Sequence, residues 1–306
     1  MILILLERIA SLFLIVVCGY FLVKKGLVDY KSSRVLSVIS IYLITPAVII
    51  HSFQIDYSPA IRDNFLLSIF AAILIHALIM LVTEVLKRLF NYNVVEQASM
   101  IYTNAANLII PLIVSLFGQE WVIYSSAFIM VQLFIFWTHG LSLFSGKNQF
   151  DLKSFLTNIN LVSIFIGASF FFLRIKLPTF LNGALASLSA TIGPVAMILL
   201  GMIIAGSHYG RKYWNLRTLF YVFTKMLFLP LLLTLALKCL DSFQILKDSS
   251  TILTISLLAA VAPSGVAIIQ MAQLYNRDVE EASLINLLTT MSSIITLPMM
   301  VWIFTL

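Results

Sequence analysis

The sequence is a succession of apolar runs joined by short hydrophilic turns. Each run has about the length a bilayer demands of a helix, roughly 20 residues. Ten can be read, at roughly 9–23, 33–53, 64–86, 98–117, 119–144, 154–173, 187–207, 214–237, 251–273 and 281–305. In hydrocarbon an unpaired backbone N–H or C=O costs several kcal/mol, so such a run must satisfy its own backbone as a helix. Hydrophobic residues make up 61% of the chain and charged residues 10%, against about a quarter charged in soluble domains. The expectation is an all-α protein of ten transmembrane helices with no soluble domain, residing in the cell membrane.

Two of the runs carry interruptions that a membrane helix does not tolerate without reason. Segment four holds Asn104-Ala105-Ala106-Asn107-Leu108-Ile109-Ile110-Pro111, two amides and a proline at mid-span. Segment nine holds Ala262-Pro263-Ser264-Gly265. Freed backbone groups are accommodated only where protein or a wet cavity surrounds them, and paired interruptions in two halves of a chain are the best sequence pointer to a transporter's binding site. Segments two and seven carry Pro46 and Pro194, so each half has one proline-bearing helix and one broken helix at the same ordinal position. Five helices per half is an odd number, so the second half enters the membrane inverted. The expected division is a first repeat over 1–145, a cytoplasmic linker over 146–153 and an inverted repeat over 154–306.

Lysine and arginine concentrate on the cytoplasmic side of membrane proteins. One set of alternate connections carries Lys24, Lys25, Lys31, Arg34, Lys87, Arg88, Lys147, Lys153, Arg211, Lys212, Arg217 and Arg277; the other carries Arg8, Arg62, Arg174, Lys176, Lys238 and Lys247. That bias places both termini outside the cytoplasm. It also accounts for the net charge of +6 without nucleic acid as a partner. The first run starts with Glu7 and Arg8 nearby and no cleavage site, so it reads as a retained helix. Cys18 and Cys239 read as isolated packing thiols.

Several polar residues inside spans have two readings each. His76 is either a proton relay or a packed ring bonded to a neighbouring carbonyl. Glu84 lies three and four residues before Lys87 and Arg88, the spacing of an interfacial ion pair. Gln132 either bonds helix to helix or meets substrate. Lys225 lies about 16 Å along its helix from the cytoplasmic entry; it either faces a cavity as a positive charge or snorkels or pairs with a helix-end carbonyl. Gly193, Gly201, Ala205 and Gly206 in segment seven suit close helix approach. Pro111 suits the first position of a new half-helix, whose positive end, with that of the half-helix after Gly265, offers a seat for a carboxylate.

No phosphate-binding glycine loop, zinc-binding H-E-x-x-H or nucleophile elbow is found. No enzymatic activity, cofactor or metal is therefore expected. No aspartate falls inside a predicted span, which argues against an aspartate-pair protease and against an acidic sodium site.

The chain resembles the auxin efflux carrier family of bacterial and plant transporters, within the group that also includes the bile acid sodium symporters. The resemblance rests on Asn104 to Leu112, on Ala262-Pro263-Ser264-Gly265, on Gly193-Pro194 with Leu200-Gly201, and on Lys225 before Leu229-Pro230-Leu231-Leu232. It implies ten helices in two inverted five-helix repeats, broken helices four and nine crossing each other, and a substrate site beside the crossing. It further implies transport of organic anions such as auxin or malate. Where Ala106 and Ile109 stand, the family often has glycine. The expected function is a secondary transporter moving a small organic anion by alternating access, with Asn104, Asn107, Pro111, Pro263, Ser264, Gly265 and Lys225 at the substrate site. The alternatives are a sodium-coupled symporter of the bile acid type and a non-transporting receptor or enzyme. The expected partners are the organic anion and the lipid bilayer, with homodimerisation left open.

Overall fold

The computed structural model describes residues 2–146, 152–206 and 216–305. Nearly all of it is helical. In chain order the helical stretches that matter below are α1 (Ile2–Lys24), α2 (Tyr30–Ser52), α3 (Pro59–Phe90), α4 (Val94–Ile101), α5 (Ile110–Leu116), α6 (Gln119–Ser145), α7 (Ile159–Phe172), α8 (Thr179–Gly206), α9 (Leu216–Asp241), α10 (Ser249–Ala260), α11 (Val266–Leu274) and α12 (Val279–Thr305). Among the described residues, six stretches are long and apolar enough to cross a membrane: α2, α3, α6, α8, α9 and most of α12. The interrupted segments four and nine fall below that length because each is split into two short helices, α4 with α5 and α10 with α11.

The helix starts follow local capping chemistry. Asn93 caps α4 in a reciprocal box: its side chain accepts the Glu96 N–H at 3.0 Å, and Glu96 accepts the Asn93 N–H at 2.8 Å. Together these satisfy two N–H groups that a helix start otherwise leaves unpaired. Asn158 caps α7 by accepting from Asn160 and Leu161. The carboxylate of Asp278 accepts the Glu281 N–H at 3.0 Å at the start of α12.

Three prolines sit just after a widened turn. The π-turns Ser40–Ile44, Ala105–Ile109 and Thr224–Phe228 immediately precede helices with Pro46, Pro111 and Pro230 in their first turn. A proline ring clashes with the carbonyl four residues earlier and supplies no N–H. Those carbonyls belong to Tyr42, Asn107 and Met226, each inside its π-turn, and widening the turn gives the ring room. Segment four therefore resumes its helical path at Ala105, earlier than the Pro111 start expected from sequence.

The chain divides into two compact units. One comprises Met1–Arg62, Ala106–Ser126 and Leu156–His208; the other comprises Asp63–Ala105, Ala127–Phe155 and Tyr209–Leu306. Each unit draws helices from both halves of the sequence.

In the first unit α1 packs along α8. The approach is close because glycines face backbone: a Cβ at Gly19 would meet the Ile198 carbonyl, and one at Gly201 would meet the Val16 carbonyl and the Tyr20 nitrogen. Gly201 thus has the packing role its spacing suggests, and Gly206 lies against the Tyr30 ring. His51 Nδ1 lies 2.9 Å from Asn182 Oδ1, tying α2 to α8.

In the second unit α4 and α10 are buried on nearly every side. Val95 through Ile101 are buried, as are Ile252 through Ala260. Both interrupted segments therefore run through the interior of this unit up to their breaks. On α3, Glu84 pairs with Lys87 at 3.2 Å and with Arg88 at 3.0 Å. His76 donates from Nδ1 to the Ala72 carbonyl at 2.7 Å and its ring lies against Phe128, which is the packed arrangement. Cys18 and Cys239 are free thiols.

Candidate functional site

The helix α4 ends because Tyr102 turns extended, with φ −99° and ψ 117°. Extended residues with no sheet around them leave their peptide groups to find partners elsewhere, and at a buried site each must find one. The Tyr102 N–H completes the helix by donating to the Ala98 carbonyl at 2.9 Å. The Tyr102 carbonyl accepts from Gly265 N–H at 3.0 Å, and Asn104 N–H donates to the Pro263 carbonyl at 2.8 Å. Between them Thr103 and Ser264 form an antiparallel bridge. The two breaks are thus joined directly: the extended residues of one serve as the strand partner of the other.

Each residue type in the second break suits that pairing. Pro263 offers a carbonyl and demands no acceptor for an N–H. A Cβ at Gly265 would stand 3.2 Å from the Thr103 carbonyl oxygen, tighter than ordinary contact, so glycine lets the two chains close up. Thr103 and Ser264 use their remaining backbone groups on side chains. Thr103 N–H donates to Gln132 Oε1 at 3.1 Å, and Gln132 Nε2 donates to the Thr103 carbonyl at 3.0 Å. Ser264 N–H donates to Thr289 Oγ1 at 3.2 Å, and Asn286 Nδ2 donates to the Ser264 carbonyl at 2.5 Å. The Thr103 hydroxyl lies 2.9 Å from Gln132 Oε1 and 2.8 Å from the Ala259 carbonyl. The Ser264 hydroxyl is fully buried with no protein partner among the described residues.

Lys225 stands next to this assembly. It sits on the π-turn of α9, buried, with Nζ donating to the Met100 carbonyl at 3.0 Å. Met100 lies in the last turn of α4, where carbonyls lack helical partners and the helix dipole is negative. Of the readings open for Lys225 in the sequence, pairing with a helix-end carbonyl is the one this contact matches. On the other flank the Tyr102 hydroxyl lies 2.8 Å from His139 Nδ1.

The structure brings Asn104, Pro263, Ser264 and Gly265 together, with Lys225 one short helix-end away. Asn107 and Pro111 follow in the chain, on the π-turn and on α5, and group with the other unit. The side chain of Asn107 lies outside the described residues. Sequence reasoning did not single out Thr103, Asn286 or Thr289. The available signal was spacing: Asn286 and Thr289 are three apart and so share a helix face. Gln132 had two readings, and its contacts here are to the backbone and hydroxyl of Thr103.

The match to known families covers almost the whole chain. A family described as membrane transport protein matches residues 4–158 and 147–302. No curated protein matches the chain.

Proposed function

Since the chain belongs to the membrane transport protein family, that of the auxin efflux carriers, and is therefore a membrane transporter, we propose that it is a secondary transporter carrying a small organic anion by alternating access. The observation that carries this reading is the pairing of the two breaks, Tyr102–Asn104 against Pro263–Gly265. Non-helical backbone at membrane depth is a feature of transporter binding sites, where half-helix N-termini attract anionic groups. Here the helical path resumes at Ala105 and at Val266, directly after the paired residues. Their positive ends favour a carboxylate beside the crossing. The amide of Asn104 and the unpartnered hydroxyl of Ser264 supply polar contacts to it, and Asn107 is assigned to the site from its place in the sequence. Pro111, Pro263 and Gly265 shape the backbone, and Lys225, bonded to the Met100 carbonyl at the end of α4, contributes positive charge.

The same reading takes the chain as ten spans in two inverted five-helix repeats in the plasma membrane, with both termini extracytoplasmic. Purified protein in liposomes, offered radiolabelled malate or indole-3-acetate, tests it. Wild-type protein is expected to carry at least one such acid without a sodium gradient. Asn104→Ala and Asn107→Ala are each expected to reduce flux about tenfold at matched yield, the scale of losing a hydrogen bond to a charged group. Wild-type flux in both variants would overturn the assignment of the site.

A further inference from the structure

The Tyr102–Asn104 stretch is hydrogen-bonded along both edges. One edge faces the Pro263–Gly265 chain, and the other faces a single side-chain carboxamide. A carboxamide carries the same donor and acceptor as a peptide group. Gln132 presents both to Thr103, accepting its N–H at 3.1 Å and donating to its carbonyl at 3.0 Å, so it takes the place of a third strand. Its oxygen also lies 2.9 Å from the Thr103 hydroxyl. The hydroxyl carries one proton and also has the Ala259 carbonyl at 2.8 Å, so it serves one of the two oxygens at a time.

The second break is held by the same logic with different parts. Asn286 and Thr289, one turn apart on α12, bond the carbonyl and the N–H of Ser264. Each break is therefore fastened by the long helix that follows it in the chain, α6 after the first and α12 after the second. Without these side chains, Thr103 and Ser264 would each keep a buried N–H and C=O unpaired, and the extended backbone would have no reason to hold one orientation.

We propose that Gln132 is a positioning residue of the transport site, with Asn286 and Thr289 as its counterparts. It fixes the peptide planes of Tyr102–Asn104, and through them the direction of the Asn104 side chain, without itself touching substrate. The functional half of this statement rests on the reading that Asn104 meets the transported acid.

The test uses Gln132→Glu and Gln132→Leu in the full chain. A neutral carboxylic acid reproduces the amide pattern, accepting from Thr103 N–H and donating to its carbonyl, whereas a carboxylate sets an oxygen against that carbonyl. The leucine variant offers neither group at any pH. All values are taken as ratios to wild type at the same pH, which cancels ionisation of the acid being carried. At about pH 8 both variants are expected to raise the KM for that acid at least about fivefold, and at about pH 5.5 the glutamate variant alone returns to within about twofold of wild type. The unfolding midpoint of the glutamate variant rises toward wild type over the same interval, while that of the leucine variant keeps a constant deficit. A KM ratio independent of pH in the glutamate variant, or a wild-type KM in the leucine variant, overturns the proposal. So does a leucine variant that re-ranks the acids carried, since Gln132 would then contact substrate. If no acid is carried at all, the transport reading fails, and the pH dependence of the unfolding midpoint still decides whether the amide fastens Thr103. Should neither variant fold, hydrogen exchange on the wild-type protein decides: the Thr103 amide is expected to exchange as slowly as helical amides, and exchange as fast as that of the turns overturns the proposal.

Discussion

Glu96 and Arg217 form an ion pair whose two members differ sharply in burial, and that difference predicts which deletion is worse. The Glu96 side chain is 3% exposed and that of Arg217 is 55% exposed. The guanidinium donates from Nε to Oε1 at 3.1 Å and from Nη2 to Oε2 at 2.8 Å, and Nη2 also donates to the Asn91 carbonyl. Arg217→Met strands a buried carboxylate. Breaking a buried pair this way costs about 3–5 kcal/mol, and because water already reaches the guanidinium side, the lower end of about 3 kcal/mol applies. Glu96→Gln strands only a half-exposed guanidinium, which water can solvate. Its amide oxygen also still accepts the Asn93 N–H that Glu96 accepts at 2.8 Å, so its expected cost is about 1 kcal/mol. The double variant strands no buried charge and should cost less than the sum of the two, by about 1–2 kcal/mol. Thermal unfolding of the four proteins in one detergent measures this as a melting-temperature loss for Arg217→Met about three times that for Glu96→Gln. Equal losses, a larger loss for Glu96→Gln, or strict additivity would refute the reasoning, because each would mean that burial does not decide the price of the stranded charge.

Gly201→Ala pushes a methyl group into the Val16 carbonyl and Tyr20 nitrogen of α1, and since backbone cannot step aside the loss should be about 1–3 kcal/mol by thermal unfolding. Adding Gly19→Ala, which meets Ile198 across the same helix pair, should cost less than its own single effect, because the first methyl has already separated the helices. Lys225→Gln keeps a donor for the Met100 carbonyl but no charge, so it should weaken binding of the carried acid while Lys225→Arg retains part of the affinity. Equal affinities in wild type and both variants, measured by thermal shift against that acid, would leave Lys225 as the cap of α4 and nothing more. Lys247→Cys should react with an impermeant thiol reagent in intact cells, and Lys147→Cys, at a position outside the described residues, should be shielded; the reverse pattern would invert the topology.

What could be read from sequence is what depends on neighbours along the chain. The apolar runs announce membrane helices because bilayer thickness fixes their length. Pro263 and Gly265 announce the second break because neither supports an uninterrupted helix there. Glu84 announces its partners because three- and four-residue spacing alone brings Lys87 and Arg88 to it. Even so, the first break was legible only approximately. Pro111 marks it, but the extended residues are Tyr102 to Asn104, because the π-turn Ala105–Ile109 absorbs the proline before the helix has to end. Only the tertiary structure decided who satisfies the freed backbone. Gln132, Asn286 and Thr289 meet residues 22 to 29 positions away, and the Lys225 ammonium finds a carbonyl 125 positions away. Hydrogen-bond demand is written locally, in every proline and every extended peptide; supply comes from whichever side chain packing carries to the spot, and no spacing rule along one chain encodes that.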